Sequence, residues 1–573
     1  MLLHSSCYRA FELAPSTGSD ISLSFAKDWI ETCRTSHKRC RRERMGRLPT
    51  RLLELHEGGV RLCITVNATS CQEYVTLSHC WGTLQILKLK TSNIDTLMER
   101  VSFESLCKTF QDAVKVTRAL GYSYLWIDSL CIVQDDEDDW RKESALMKEV
   151  YCNAVVNLAA TDAKDGSDGL FRERDVSRAS RQYIQTTTSD PNDYKGRMNS
   201  QIFEIMDDRA YYRCLSRTLL SNRAWAFQER YLAERTIHFT SEQLICECRY
   251  EIACEAWPKG MKPALARMGD IPFPGRTYKH GQEEEWRQVV LHYSRAKLTF
   301  PRDKLVALSG VAHKHQEKTR DRYVAGLWRN GLEEHLCWAV ERILENQLPT
   351  SEIHSTPYRA PSWSWASQDR SVSWRLSSSV NPWTNSHAVS LIDILDIDLV
   401  PAGPDALGQL QDAKMRLRCV PIIKGNFILK LLDASSKPRN NTYNVHIQDD
   451  LDVPIGIFCD VFPDLDMEDK SIIGTLYFLP ILAGENGQAD RSIRWGYPKA
   501  ASISGLILQK ADERGPGYFT RFGVCYITHN VTYYSELMEL FSEWSDCFMD
   551  EALYEEVLEV DKTGGKKHVI SLV

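Results

Sequence analysis

No apolar run in the 573-residue sequence reaches the ~18 residues that a membrane-spanning helix needs. The first residues, MLLHSSCYRAFEL, lack the apolar core of a secretory signal, so a cytoplasmic protein is expected. Positive charge is not in excess: 70 Lys and Arg stand against 77 Asp and Glu, a net charge of -7. Nucleic acid is therefore not an expected partner. The one dense basic cluster, KRCRRER at Lys38–Arg44, reads as a solvated face. Phosphate-binding signatures are missing: there is no G-x-x-x-x-G-K-[ST] and no G-x-G-x-x-G after a strand. H-E-x-x-H and G-x-S-x-G are missing too, as are internal repeats. The acidic run Asp135–Asp139 lacks the glycine and spacing of a calcium loop. It suits a helix N-terminus, where acids favour the dipole.

Eighteen cysteines are present, without the spacing of a disulfide framework. In a reducing compartment they are expected as reduced, mostly buried thiols. Cys33, His37 and Cys40 form a C-x3-H-x2-C group in WIETCRTSHKRC, and Cys63 is available as a fourth ligand. This spacing matches no common structural zinc pattern. Packed thiols and a surface histidine are the expected reading, and no metal is expected. His238 with Cys246, Cys248 and Cys254 is likewise read as edge-strand packing.

The clearest periodicity lies between residues 74 and 160. YVTLSHCWG is a short strand ending in a turn at Gly82. Ser102–Leu120 has an apolar stripe at three- and four-residue steps, with Ser102 placed to cap it and Gly121 at C′. A strand Tyr122–Asp128, a helix over about Asp139–Ala154 and an apolar strand Val155–Ala160 follow. The alternation predicts a parallel, doubly wound α/β sheet flanked by helices. Leu220–Leu232 reads as a further helix and Arg235–Thr240 as a strand.

Four regions are expected: a helical preface at 1–72, the α/β domain at 73–250, a helical, Trp-rich support region at 251–370 and a β-rich domain at 371–573. The last expectation rests on short alternating runs broken by Gly, Pro, Asn and Asp. The acidic stretch FSEWSDCFMDEALYEEVLEVD reads as a surface helix, and the tryptophans of Ser362–Ser367 as interdomain packing.

YVTLSHCWG, YLWIDSLCIVQDDEDDW, GLF and RAWAFQER occur in a fixed order. Together they resemble the fungal heterokaryon-incompatibility (HET) domain. YSRAKLTFPRDKLVALSGVA, DRYVAGLW and PSWSWAS resemble the segments that follow it, so the likeness runs from roughly Trp29 to Ser367. The resemblance implies self/non-self recognition and programmed cell death when incompatible cells fuse. A second likeness is to TIR domains, where a Trp-Cys-x-x-Glu turn carries the glutamate that cleaves NAD. The matching residues are Trp225 and Glu229, with Ala226 in place of the cysteine. It implies a TIR-like core with NAD+ as substrate rather than a bound cofactor.

For scission of the nicotinamide–ribose bond, the leaving group departs neutral and the transition state is oxocarbenium-like. A preorganised carboxylate stabilises that charge. Glu229 is the candidate carboxylate, Asp128 a second one at a strand's carboxyl end, and Trp81 and Trp225 are aromatic walls. Ser78 and Gly82 are candidates for lining the phosphates. Each has a structural alternative: core packing for Trp225, pairing with Arg223 or Arg235 for Glu229, backbone hydrogen bonds for Asp128. Cys131 reads as buried and inert, and Glu143 as solvent-facing. The competing class is a non-enzymatic death-signalling module, whose partners are a second copy or an NLR-like sensor protein.

Overall fold

The computed structural model describes residues 2–4, 13–40, 48–65, 73–179, 182–189, 198–205, 210–215, 218–261, 281–340, 358–374, 389–431, 443–447, 458–459, 473–485, 501–529, 551–558 and 567–573. The chain divides into two compact units. The first holds residues 1–281 with 296–298 and 306–313; the second holds 282–295, 299–305 and 314–573. No helix among the described residues is long and apolar enough to cross a membrane.

In the first unit, a helix α1 (Asp20–Ser36) precedes a hairpin, β1 (Arg51–His56) and β2 (Gly59–Ile64). Then come β3 (Tyr74–Ser78), α2 (Lys108–Ala119), β4 (Tyr124–Ile127), α3 (Glu137–Ala145), α4 (Met147–Asn153) and β5 (Val156–Ala159). Next are α5 (Ala224–Leu232), β6 (Arg235–Phe239), β7 (Leu244–Cys248) and β8 (Ile252–Cys254). A two-residue strand, Val101–Ser102, pairs with β2 and completes a nine-stranded sheet in the order β8-β7-β6-β5-β3-β4-β1-β2-(101–102).

Its centre is parallel: β3 pairs with β4 and β5, and β5 with β6. Taken by their place in the chain, these four strands lie in the order 2-1-3-4, that of a doubly wound sheet. Every residue of β3, β5 and β6 is buried, which fits the mostly apolar sequences of β3 and β5; β6 buries Arg235, Thr236 and His238 as well. The sheet as a whole is mixed, not purely parallel. β1 runs antiparallel to β4, and β7 antiparallel to β6, so antiparallel hairpins extend both edges. The first of these hairpins lies within the expected helical preface.

Several boundaries differ from the periodic pattern. Ser102 caps no α-helix; it joins the edge strand, and Phe103–Ser105 form a 3-10 turn before α2 starts after Cys107. The α2 stripe is otherwise as expected, and Gly121 follows it in the left-handed region (φ 88°), its N–H donating to the Arg118 carbonyl at 2.9 Å. The single helix expected over 139–154 is two, broken at Leu146, whose N–H turns back to the Glu143 carbonyl at 3.1 Å. Asp136 caps α3, accepting from the N–H groups of Asp138 and Asp139 at 3.0 and 3.2 Å.

The second unit begins with the helix Gly281–Ser294 (from residue 282) and is β-rich from Val389 onward, with an eleven-stranded sheet. Trp363 and Trp365 are fully buried, and Trp365 donates its indole N–H to the Gly326 carbonyl at 2.7 Å. Arg521, from the β-rich part, lies over the Trp338 ring at 3.3 Å. The acidic stretch expected as a surface helix is, in its described part, a 3-10 turn Glu551–Leu553 and a strand Glu556–Leu558; residues 541–550 and 559–561 lie outside the described residues. Thirteen described cysteines are free, as expected, whereas Cys525 is disulfide-bonded.

A buried ion pair pins the chain's start to the β7–β8 hairpin. Arg174 and Glu255 are both nearly inaccessible, with side chains 1% and 0% exposed. Arg174 also donates to the Ala14 carbonyl at 2.9 Å, while Glu255 accepts from Ser22 Oγ and the Leu244 N–H, each at 2.7 Å. Removing one partner of such a pair strands a buried charge. Arg174→Ala is expected to destabilise the first unit by about 3–5 kcal/mol. Thermal unfolding of the full chain, followed by limited proteolysis, checks this; an unchanged melt contradicts it.

Candidate functional site

The parallel strands end level with one another. Leu77 pairs with Ile127 and Leu158, and Ser78 with Ala159. Immediately beyond these rungs, β3 continues as His79-Cys80-Trp81-Gly82 and β4 as Asp128. In open α/β sheets, ligands bind past the carboxyl ends of the strands where the order reverses, here between β3 and β5.

Asp128 opens a one-turn helix, Asp128–Cys131. Its Oδ1 accepts the Ser129 N–H at 2.7 Å, and its Oδ2 accepts the Trp81 indole N–H at 2.9 Å. His79 Nδ1 lies 3.7 Å from Oδ1. The carboxylate is thus partly structural, yet its side chain remains 21% exposed. Trp81 is half-buried, with Lys88 Nζ 4.6 Å from its ring centroid. Gly82 turns the chain with φ 60°, and a Cβ there would lie 2.3 Å from Asp165 Cβ. Only glycine meets both conditions.

Glu229 comes from α5, four residues after Trp225 and on the same side of the helix. It is buried, and its carboxyl is raised to about 7. Loss of water is the main cause and the charge of Asp128 the second; Arg223, Ser78 and Tyr151 pull the other way. The two carboxyl groups, distant in sequence, are therefore electrostatic neighbours. Trp225 is half-buried and sits edge-on to Trp140 at 6.3 Å. Arg235 is not a partner of Glu229: it donates to the Val155 carbonyl at 2.8 Å and the Cys40 carbonyl at 3.3 Å.

Ser78 is buried and exchanges hydrogen bonds with the Asn157 side chain at 3.0 and 3.2 Å. Thr76 also donates to Asn157 Oδ1, at 3.0 Å. Tyr151 is fully buried beside Glu229 and Ser78; its hydroxyl meets no partner at full hydrogen-bond geometry, and loss of water drives its pKa up. Arg223 donates to the His79 carbonyl. Sequence reasoning did not single out Tyr151 or Asn157. The signal for Asn157 was available: a polar side chain in the middle of VVNLAA must find partners when buried. Tyr151 lay inside an apolar stripe that hides its hydroxyl.

Other groups are less suited to chemistry. Burial pushes the Cys80 and Cys131 thiols up, so neither is a ready thiolate. His79 is lowered to about 4 by burial, against the opposing charge of Asp128, and stays neutral at physiological pH. Glu143, expected at the surface, is buried, and its carboxyl is raised by loss of water near Arg51 and Asp139. Within the Ser78–Asp128–Glu229 cluster, Glu229 is the carboxyl poised near neutrality.

That poise carries a stability consequence. Below pH 4.5 Glu229 is protonated in both folded and unfolded chains and contributes no difference. As pH rises from 4.5 through 7, the folded state resists ionisation and a penalty builds to about 3 kcal/mol. Glu229→Gln removes it. The variant is expected to gain stability over wild type between pH 4.5 and pH 8, measured by denaturant unfolding at each pH. A difference that stays constant with pH contradicts the raised carboxyl.

No curated protein and no solved structure matches the chain. A family model described as Heterokaryon incompatibility protein (HET) matches residues 74–229. The match opens on the first residue of β3 and closes on the buried acid of α5. The chain thus carries a heterokaryon-incompatibility (HET) domain over residues 74–229, and that domain holds both carboxyl groups of the cluster.

Proposed function

We propose that this HET domain acts in fungal self/non-self recognition by triggering cell death, and that it does so by hydrolysing NAD+ at the Asp128–Glu229 cluster. The observation that carries the reading is the pairing of a buried carboxyl, raised to about 7, with a second, partly exposed carboxylate at the strand ends. Opposed environments for two neighbouring acids are how protein sites divide acid–base roles. The 2-1-3-4 order of the parallel strands, with the acid on the helix leading into the fourth, supports a TIR-like core.

In the reaction, the C–N bond between ribose and nicotinamide breaks and its electron pair leaves with the ring, which becomes neutral. The ribose C1′ gains oxocarbenium character, stabilised by ionised Glu229. Water adds at C1′ and loses its proton, giving ADP-ribose, nicotinamide and a proton. Asp128 orients the ribose or the incoming water, with Trp81 held beside it. Ser78 and the Gly82 turn line the phosphates, and Trp225 forms a second wall. The trigger is self-association or docking of a sensor protein, in the cytoplasm.

One observation favours the non-enzymatic reading. Both Asp128 oxygens already accept hydrogen bonds, and Lys88 covers one face of Trp81. In that reading the cluster braces the strand ends and the domain kills by recruiting partners.

Two measurements separate these readings. Purified full-length protein, concentrated or tethered into oligomers, is expected to release nicotinamide from NAD+. Glu229→Gln is expected to lower release by about 100-fold or more. If induced expression of Glu229→Gln arrests growth as wild type does, the adaptor reading replaces the enzymatic one. The rate is also expected to rise with pH through about 7, as Glu229 ionises. Asp128→Asn removes a charge that raises Glu229, so its rising limb is expected to move to lower pH, whatever happens to the maximum. A limb that does not move severs the proposed coupling.

A further inference from the structure

Cys33, His37, Cys40 and Cys248 meet in the first unit, and each offers a ligand atom within 4.8 Å of every other. All four are buried. Cys33 lies in the last turn of α1, His37 is that helix's C-cap, and Cys40 ends the 3-10 turn Lys38–Cys40. The His37 N–H returns to the Cys33 carbonyl at 3.4 Å and the Cys40 N–H to the His37 carbonyl at 2.9 Å, so the chain folds into a tight knuckle. Cys248 arrives at the end of β7, more than 200 positions later (248 − 40 = 208). Cys63, the sequence-level candidate for a fourth ligand, is elsewhere: it is on β2, its thiol donating to the Leu52 carbonyl at 3.2 Å.

We propose that these four residues form a closed, structural zinc site that clamps α1 to the β7–β8 hairpin. Tetrahedral zinc with bonds of ~2.3 Å to sulfur and ~2.0–2.1 Å to nitrogen sets its ligands about 3.5–3.8 Å apart. Cys248 Sγ and His37 Nδ1 are already 3.4 Å apart, and the widest separation in the set needs a contraction of about 1 Å to reach that geometry.

The surroundings match what a zinc ligand set requires. With Nδ1 facing the sulfurs, His37 presents Nε2 to Glu251 Oε1 at 3.2 Å. A carboxylate on the far nitrogen fixes the tautomer and orientation of a ligating histidine. The Glu251 N–H points to Cys248 Sγ at 3.4 Å, a bond that favours thiolate. Three thiolates and one neutral imidazole around Zn²⁺ leave a net charge of −1. Arg235, its side chain 3% exposed, donates to the Cys40 carbonyl at 3.3 Å and so brings a positive charge to the site. Four protein ligands leave no open position, so the site is structural rather than catalytic. The expectation of packed thiols without metal accounts for the burial but not for the histidine, its orienting carboxylate and the compensating arginine.

The test uses the full chain, purified without a metal-affinity tag and without added metal. Elemental analysis is expected to find about one zinc per chain. Cobalt(II) exchanged into the protein is expected to give thiolate charge-transfer absorption and the intense visible bands of a tetrahedral centre. Cys248→Ser and His37→Ala are expected to lose most of the zinc, whereas Cys63→Ser keeps it. Glu251→Gln is expected to retain the stoichiometry but weaken zinc about 10–100-fold in competition with a chelator. Should Cys248→Ser prove insoluble, the wild-type stoichiometry and cobalt spectrum decide alone. Wild-type protein that carries no zinc and gives no tetrahedral cobalt spectrum overturns the proposal, as does full zinc retention in both ligand variants.

Discussion

The level ending of three parallel strands is the constraint on which the rest depends. Once Leu77 is in register with Ile127 and Leu158, the residues that follow must leave the ladder at one rim. Their backbone no longer has sheet partners, so side chains and turns supply the missing hydrogen bonds. Asp128 accepting from the Ser129 N–H, Trp81 donating to Asp128 and Arg223 donating to the His79 carbonyl are all answers to that need. Inside the rim, Asn157 satisfies Thr76 and Ser78 across two strands. A polar cluster at this place follows from topology before any chemistry is considered.

What distinguishes the cluster is incomplete compensation. Two other buried acids of the first unit, Glu247 and Glu255, are fully partnered. Glu247 is held well below the usual range, against the effect of burial, by Arg230 and His238, and Tyr211 also donates to it. Glu255 has Arg174 and two further donors. Glu229 instead faces a second carboxylate, and its nearest cation, Arg223, is also committed to the His79 carbonyl. Glu247 and Glu255 are thus paired, whereas Glu229, at the strand ends, is left raised. Such imbalance is a feature of functional sites.

Much of the core was legible because local pattern and tertiary role agree there. The apolar stripe of α2, Gly121 after it and the buried strands β3 and β5 each carry their own signal. Asp128 was legible as a carboxylate at a strand end, since an acid closing an apolar run invites the question. The hairpin Arg51–Ile64 was not, because Glu54, His56 and Arg61 give it a half-polar surface typical of a sheet extension. Ser102 had the chemistry of a helix cap, but pairing with Gly59 drew it into a strand. Glu143 looked solvent-facing between Lys142 and charged neighbours; its burial beside Arg51 depends on a strand 92 positions earlier (143 − 51). Contacts of that range leave no local trace.

The same limit explains why Cys248 was invisible as a ligand while Cys33, His37 and Cys40 were visible as a group. Three of the four come from one helix end, where sequence spacing is spatial spacing. The fourth is delivered by β7, whose position is set by pairing with β6 at the far edge of the parallel core. Both notable clusters in this unit are therefore products of strand order. One collects carboxylates where parallel strands stop together; the other collects thiols where an antiparallel hairpin brings the edge back to the first helix. In each, the residues close in sequence state what chemistry is available, and the sheet decides which distant residue completes it.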